Sequence, residues 1–399
     1  MCSRKVVNPE KERKRQITTY YLRYLLERGA TKHMKYSIII TYYQGYNILC
    51  TALELLHKSL KARKDVEIIV VNDNPQTSIH KIENLDPFQR LRVVDMEKNG
   101  GYSLACNKGV AIARGDYVIL MDCDIFVTQN WLDGLEAVLM KYPNAGCISS
   151  TILDLECEST VHWGMSVLDV DIIKPFRGWK LPIEKIPEIH EFPMITSGCM
   201  LVSRNLYEQI HGMDPVFLNG YCDLDFSFKC RQAGYRLYAT TKSIVYHRGK
   251  VAGAVRLLGE GDPKAMFFAK WFKDSVFPTN GCEFFVNLLR LNGFSAPEEC
   301  LYLNFSRSLS REKYKEALKH YYRLHISEEL DLKYAPVPCL LEDFLSWNYA
   351  ALRMPIIYFT DNINQLRNNS HWYYHRKGSG DLLLDRNGNV VWTDDLINT

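Results

Sequence analysis

Tyr117-Val118-Ile119-Leu120-Met121, followed at once by Asp122-Cys123-Asp124, is the stretch on which the fold turns. The five-residue run reads as a buried strand. It ends on two carboxylates one residue apart. Oxygen ligands of this kind suit Mg2+ or Mn2+, and such cations neutralise charge on phosphate leaving groups. A D-x-D triplet occurs often by chance, so its meaning depends on what surrounds it.

Upstream, the chain alternates. Tyr36–Thr41, Val66–Val71 and Leu91–Val94 are further β-rich runs. Between them, Asn47–Leu60 has helical spacing, and Ser103–Ala113 reads as a helix with Ser103 as N-cap and Gly115 just past its end. Downstream come a helix at Trp131–Lys141, a short strand at Gly146–Ser150, strands at Thr196–Ser203 and Ser243–Tyr246, and a helix opened by Asp223 and Asp225. Short apolar strands alternating with amphipathic helices predict a mainly parallel sheet covered on both faces. Ligands on such sheets bind beyond the carboxyl ends of the strands. Thr41, Asp73 and Asp122 all fall there, so they are expected to share one site.

The size of the chain, 399 residues, allows one large domain plus a smaller one. A formal charge of +3 gives no electrostatic case for nucleic acid. No stretch has the length of a membrane-spanning helix, and basic residues interrupt the N-terminus where a signal peptide needs an apolar core. The 12 cysteines are scattered without a C-x-x-C pair, which favours reduced thiols in a cytoplasmic protein over a disulfide framework or a zinc site. Residues 1–34 read as a charged helical extension that packs on the body or a partner; attraction to an anionic membrane face is the weaker reading.

Residues 151–195 are irregular. Within them Trp163 is a candidate for stacking on a sugar ring, with core packing the commoner role of such a residue. From about residue 255 the alternation stops. Ala265–Lys273, Glu283–Leu291 and Arg311–His325 read as helices, and Leu382–Trp392 as a hairpin turning at Asn387-Gly388. The expected division is therefore an extension (1–34), an α/β domain (35–255) and a mainly helical region (256–399).

Seven elements occur in order: Ser37-Ile38-Ile39-Ile40-Thr41, Val71-Asn72-Asp73, Asn99 to Gly109 running into Arg114-Gly115-Asp116, Asp122-Cys123-Asp124, Thr196-Ser197-Gly198, Cys222-Asp223-Leu224-Asp225 with Ala233-Gly234-Tyr235, and Val245-Tyr246-His247. Together they resemble the family-2 inverting glycosyltransferases, particularly the rhamnosyltransferase-like branch, over roughly residues 35–275. The resemblance implies a GT-A fold, a mainly parallel Rossmann-like sheet flanked by helices. It implies that Thr41 and Asp73 bracket the base of a nucleotide-sugar, with Asn99 and Asn107 bordering that site. Asp124 would hold the metal, and Asp122 the ribose or a metal-bound water. His247 would complete the metal or diphosphate site. Arg248 or Lys250 would bind phosphate. The family commonly reads Glu-Asp-x-Asp where this chain has Cys222-Asp223-Leu224-Asp225. That leaves the general base open between Asp223 and Asp225, with Asp223 favoured.

The expected function is metal-dependent, inverting transfer of a sugar from a UDP- or dTDP-sugar to an acceptor hydroxyl, with Mn2+ or Mg2+ as cofactor. The acceptor would be a glycan, a lipid-linked glycan, a protein or a small molecule; the protein would be cytoplasmic, with the inner membrane face as the alternative, and the C-terminal region would shape the acceptor site or a dimer contact. A sugar nucleotidyltransferase competes, but lacks its early Gly-rich phosphate loop here. A non-catalytic carbohydrate-binding protein would have lost the D-x-D or the base.

Overall fold

A computed structural model of the chain describes residues 34–249, 262–272, 281–335 and 339–397. The expected helix in 1–34 lies outside them, except for its last residue, as does Lys250.

The first sheet contains β1 (Tyr36–Tyr42), β2 (Val66–Asn72), β3 (Leu91–Asp95), β4 (Tyr117–Asp122), β5 (Ile125–Val127), β6 (Ala145–Asp154), β7 (Thr160–His162), β10 (Ile189–Phe192), β11 (Cys199–Ser203) and β12 (Arg236–His247); β8 (Ser166–Leu168) and β9 (Asp171–Ile173) form a separate ribbon. The main path runs β10-β12-β6-β11-β4-β1-β2-β3. Neighbours from β3 to β4 are parallel, as are β6 and β12. β11 pairs antiparallel with both β4 and β6, so it alone is reversed between them. This is the α/β sheet that the alternation predicts. β1, β2 and β4 are buried almost along their whole length because helices cover both faces.

β6 and β12 extend further than the sequence suggests. Ser149, Ser150 and Thr151 look like a strand end, yet all three are buried. The Ser150 and Ser243 hydroxyls lie 2.7 Å apart, and the Thr151 hydroxyl donates to the Thr240 carbonyl at 3.0 Å. Two of the three buried hydroxyls thus find partners on β12, and the strand continues. The helix expected from Ser103 begins instead at Gly101, whose φ is +74°. A side chain at Gly101 would meet the Leu218 carbonyl oxygen at 2.8 Å. Ser103 is therefore inside the helix and buried, where its hydroxyl donates to the Phe217 carbonyl instead of capping.

The helix Trp131–Lys141 lies close on β12 because Gly134 has no side chain there. A Cβ at this position would run into the Lys242 carbonyl. Gly134→Ala is expected to cost about 1–3 kcal/mol, an overpacking effect, read as a lowered midpoint in denaturant.

The C-terminal region corrects the helical expectation. Its helices Gly281–Leu291 and Arg311–Tyr322 are present. They accompany a second sheet, β14-β13-β15-β16-β17, built from β13 (Glu299–Asn304), β14 (His325–Asp331), β15 (Ile356–Thr360), β16 (Leu382–Asp385) and β17 (Val390–Trp392). All its pairs are parallel except the β16–β17 hairpin. Arg376 is fully buried beside this sheet, and its guanidinium is saturated by Asp381 and the carbonyls of Tyr349, Leu352 and Met354. The hairpin also reaches the first sheet's surroundings. Asn387 Oδ1 accepts from Lys174 N at 2.8 Å and Asn389 Oδ1 from Phe176 N at 2.9 Å. Among the described residues, no helix is long and apolar enough to cross a membrane.

Candidate active site

The β1–β4 register sets Thr41 opposite Asp122, and β2 ends one residue before Asp73. All three line one cavity of about 460 Å3, together with Asp124, Asp223 and His247. The strand-end rule thus brings the expected edge residues together.

Asp73 is held from behind. Its two carboxylate oxygens accept Gly100 N at 2.6 Å and Gly101 N at 2.8 Å. Burial pushes its carboxyl above the ordinary aspartate range, against those two bonds, which favour the charged form. Each oxygen keeps lone-pair capacity for a ligand N–H in the cavity.

The chain brings an imidazole to the D-x-D by a local device. After β4 it turns through Cys123-Asp124 into β5, which pairs antiparallel with the end of β12 and sets Ile125 opposite His247. Arg248 N closes the arrangement by donating to the Asp124 carbonyl at 3.0 Å. His247 Nε2 then lies 3.3 Å from Asp124 Oδ2. Asp122, Asp124 and His247 each offer a ligand atom, all within 4.8 Å of one another. Two carboxylates and an imidazole fit a divalent cation. The nitrogen donor suits Mn2+ better than Mg2+, which prefers oxygen alone.

Asp223 also lines the cavity, from the first turn of the helix Cys222–Gln232. Tyr221 enters that helix with φ of 64°. Burial raises the Asp223 carboxyl above its ordinary value; the Lys174 charge and hydrogen bonds from Leu224 N, the Thr196 hydroxyl and Ser197 N act the other way.

Asp225, two residues on, points elsewhere, because i and i+2 do not share a helix face. It is fully buried and does not line the cavity. Its Oδ1 accepts Trp271 Nε1 at 2.8 Å and pairs with Lys270 Nζ at 2.7 Å. The structure therefore removes Asp225 as a base and gives it an anchoring role. Asp225→Asn is expected to lower stability by about 1–3 kcal/mol, since Lys270 keeps Asp214 as a partner. Thermal melts would show the loss, with nucleotide binding retained.

Asn107 also falls outside the cavity. Its Nδ2 donates to Met213 O at 2.8 Å, and its Oδ1 accepts from Tyr207 Oη at 2.6 Å and Met213 N at 2.9 Å. It pins a loop. Arg248 pairs with Glu156 at 2.7 Å and does not line the cavity. Trp163 is fully buried, edge-on to Phe192, which is the packing role.

The cavity also takes in Asn99, which the resemblance sets beside the nucleotide, and Tyr43, Tyr102, Thr196, Ser197 and Asn219, to which the sequence assigns no individual role. Tyr102 Oη donates to Ser197 O at 3.1 Å, and Asn219 Oδ1 accepts Tyr102 N at 3.2 Å. The signal for Thr196 and Ser197 was a polar cluster just before a strand. Because β11 is reversed, its amino end lies at the carboxyl edge of the others.

Residues 37–210 match the family model described as Glycosyl transferase family 2. The chain is similar to an uncharacterized glycosyltransferase, YwdF, of Bacillus subtilis (strain 168), with 37% identity over 100 residues, 25% of this chain and 36% of that protein. It is similar to a poly(ribitol-phosphate) beta-glucosyltransferase of Bacillus spizizenii, with 30% identity over 112 residues, 27% of this chain and 17% of that protein. Among solved structures, GalNAc-T7 with UDP, GalNAc and Mn2+ aligns with a TM-score of 0.49 and 16% identity, covering 73% of this chain and 56% of that one. The chain thus spans little more than a third of the first curated relative and less of the second.

Proposed function

We propose that this chain, whose residues 37–210 form a family-2 glycosyltransferase domain on a GT-A sheet, transfers a sugar from a pyrimidine nucleotide-sugar to an acceptor hydroxyl with inversion at the anomeric carbon. One observation carries this reading: the carboxylate–imidazole cluster of Asp122, Asp124 and His247 and the lone carboxylate of Asp223 line the same cavity.

Thr41 and Asp73 would receive the base. The Asp73 carboxylate, oriented by Gly100 and Gly101, accepts an N–H such as N3–H of uracil or thymine. A cation held by Asp122, Asp124 and His247 would neutralise charge on the departing diphosphate. Asp223 takes the proton of the acceptor hydroxyl as its oxygen bonds the anomeric carbon and the bond to the diphosphate breaks. A single displacement inverts the centre, and no covalent enzyme intermediate is required. The similarity to a poly(ribitol-phosphate) beta-glucosyltransferase supports a glycan or polyol-phosphate acceptor.

Release of nucleoside diphosphate from a panel of UDP-, dTDP- and GDP-sugars, with and without Mn2+, tests the reading. Mn2+-dependent turnover of a pyrimidine donor is the expected result. Absence of both turnover and binding for every pyrimidine nucleotide would overturn it.

A further inference from the structure

Far along the chain, the short helix Ser370–His375 turns Trp372 and Tyr373 into the core of the second sheet. His371 and His375, one helical turn apart, are left exposed. Their Nε2 atoms face each other at 3.4 Å. That is long for an imidazole–imidazole hydrogen bond. It is close to the edge of a tetrahedron with ligands about 2.0–2.1 Å from Zn2+, roughly 3.3–3.4 Å. The other nitrogen of His371, Nδ1, lies 3.1 Å from Glu342 Oε1. A carboxylate there fixes the Nδ1–H tautomer and leaves Nε2 with its lone pair outward, as for metal-bound histidines. The Trp347 ring stands 4.9 Å from the His375 ring and 6.2 Å from that of His371.

We propose that His371 and His375 form a second metal site, distinct from the D-x-D cluster, which takes a late first-row divalent cation such as Ni2+, Cu2+ or Zn2+ through their Nε2 atoms. Imidazole donors suit these ions and not Mg2+. Glu342 is a positioning residue that acts through His371. Water fills the remaining coordination positions, so the site is open and exchangeable, unlike a closed structural centre. The inference does not rest on the proposed transfer activity.

The test is a Ni2+ titration of the metal-stripped full chain in excess Mg2+, followed by tryptophan fluorescence and by calorimetry. Trp347 is expected to be quenched as one equivalent binds at the pair. His375→Gln and His371→Gln should each weaken that binding at least tenfold. Glu342→Ala should weaken it by about tenfold or more, as loss of an outer-shell partner does. Asp124→Asn should leave it unchanged, and Trp347→Phe should remove the quenching while calorimetry still records the ion. Both histidines are exposed, so the variants are expected to fold, and circular dichroism checks this. Wild-type binding in the two histidine variants, loss of binding only in Asp124→Asn, or no binding at all would overturn the proposal.

Discussion

Asp223→Asn is expected to lower sugar transfer by about 10²- to 10⁴-fold, the range that a positioned general base supplies, while donor affinity stays near that of the parent. Asparagine keeps the shape and the hydrogen bond from Leu224 N, which lies 3.0 Å from Oδ1. It cannot accept the acceptor's proton. The pH profile gives a second reading of the same residue. Burial raises the Asp223 carboxyl above its ordinary value of 3.8. A base must be ionised, so the acidic limb of kcat/KM is expected above that value, and activity falls as pH drops through it. Stability carries the opposite sign. A carboxyl with a raised folded pKa contributes stability that is full below its unfolded value and is lost as pH rises through the folded one. At neutral pH the charged Asp223 therefore costs stability, and Asp223→Asn is expected to melt at the same temperature as the parent or higher. Asp225→Asn should do the reverse, melting lower while keeping turnover. If both variants lose activity equally without a difference in melting, Asp223 is not the base.

The contrast between these two aspartates shows what the chain reveals before it is folded and what it withholds. The apolar runs of β1, β2 and β4 are unambiguous, because strands buried on both faces are nearly all apolar, Ser37 and Glu67 near the start of β1 and β2 being bonded to each other, and the carboxyl-edge rule then gathers Thr41, Asp73 and Asp122. Asp223 and Asp225 differ only in helix phase. That phase is set by where the helix starts and by Lys270 and Trp271, which come from more than forty residues downstream and capture one of them. Asn107 fails for a similar reason: its partners Tyr207 and Met213 are about a hundred residues away. The second sheet is hidden in the sequence because its strands give uneven signals. β15 is wholly buried, but the edge strand β14, paired to β13, reads His325-Ile326-Ser327-Glu328-Glu329-Leu330-Asp331 and is mostly exposed. An edge strand with little to bury has no apolar pattern to show. Thr196 and Ser197 needed knowledge that β11 is reversed, and nothing local to Cys199–Ser203 states its direction.

Asp124→Ala is expected to abolish metal-dependent transfer, and this is the larger of the two losses. Asp124 is the most enclosed of the three clustered side chains, 7% exposed, and its position depends on two contacts at once. Its carboxylate faces His247 Nε2 at 3.3 Å, while its carbonyl accepts from Arg248 N at 3.0 Å. Truncation removes the first and leaves the second, so the turn and the β5–β12 pairing should survive. The expected signature is therefore specific. Mn2+ binding by calorimetry is lost or weakened by orders of magnitude, the stabilisation that Mn2+ adds to a nucleotide in a thermal-shift assay disappears, and the melting temperature of the free chain changes little. Ligand-induced stabilisation follows RT ln(1 + [L]/Kd), so its disappearance reports affinity directly. His247→Gln should fall between the parent and Asp124→Ala, since two carboxylates remain to hold the ion. Asp223→Asn should retain the whole Mn2+-dependent shift while losing turnover. This separation of ion binding from proton removal is what distinguishes a transferase site from a nucleotide-binding pocket that happens to contain acids. Full transfer activity in Asp124→Ala would sink the assignment of the cluster.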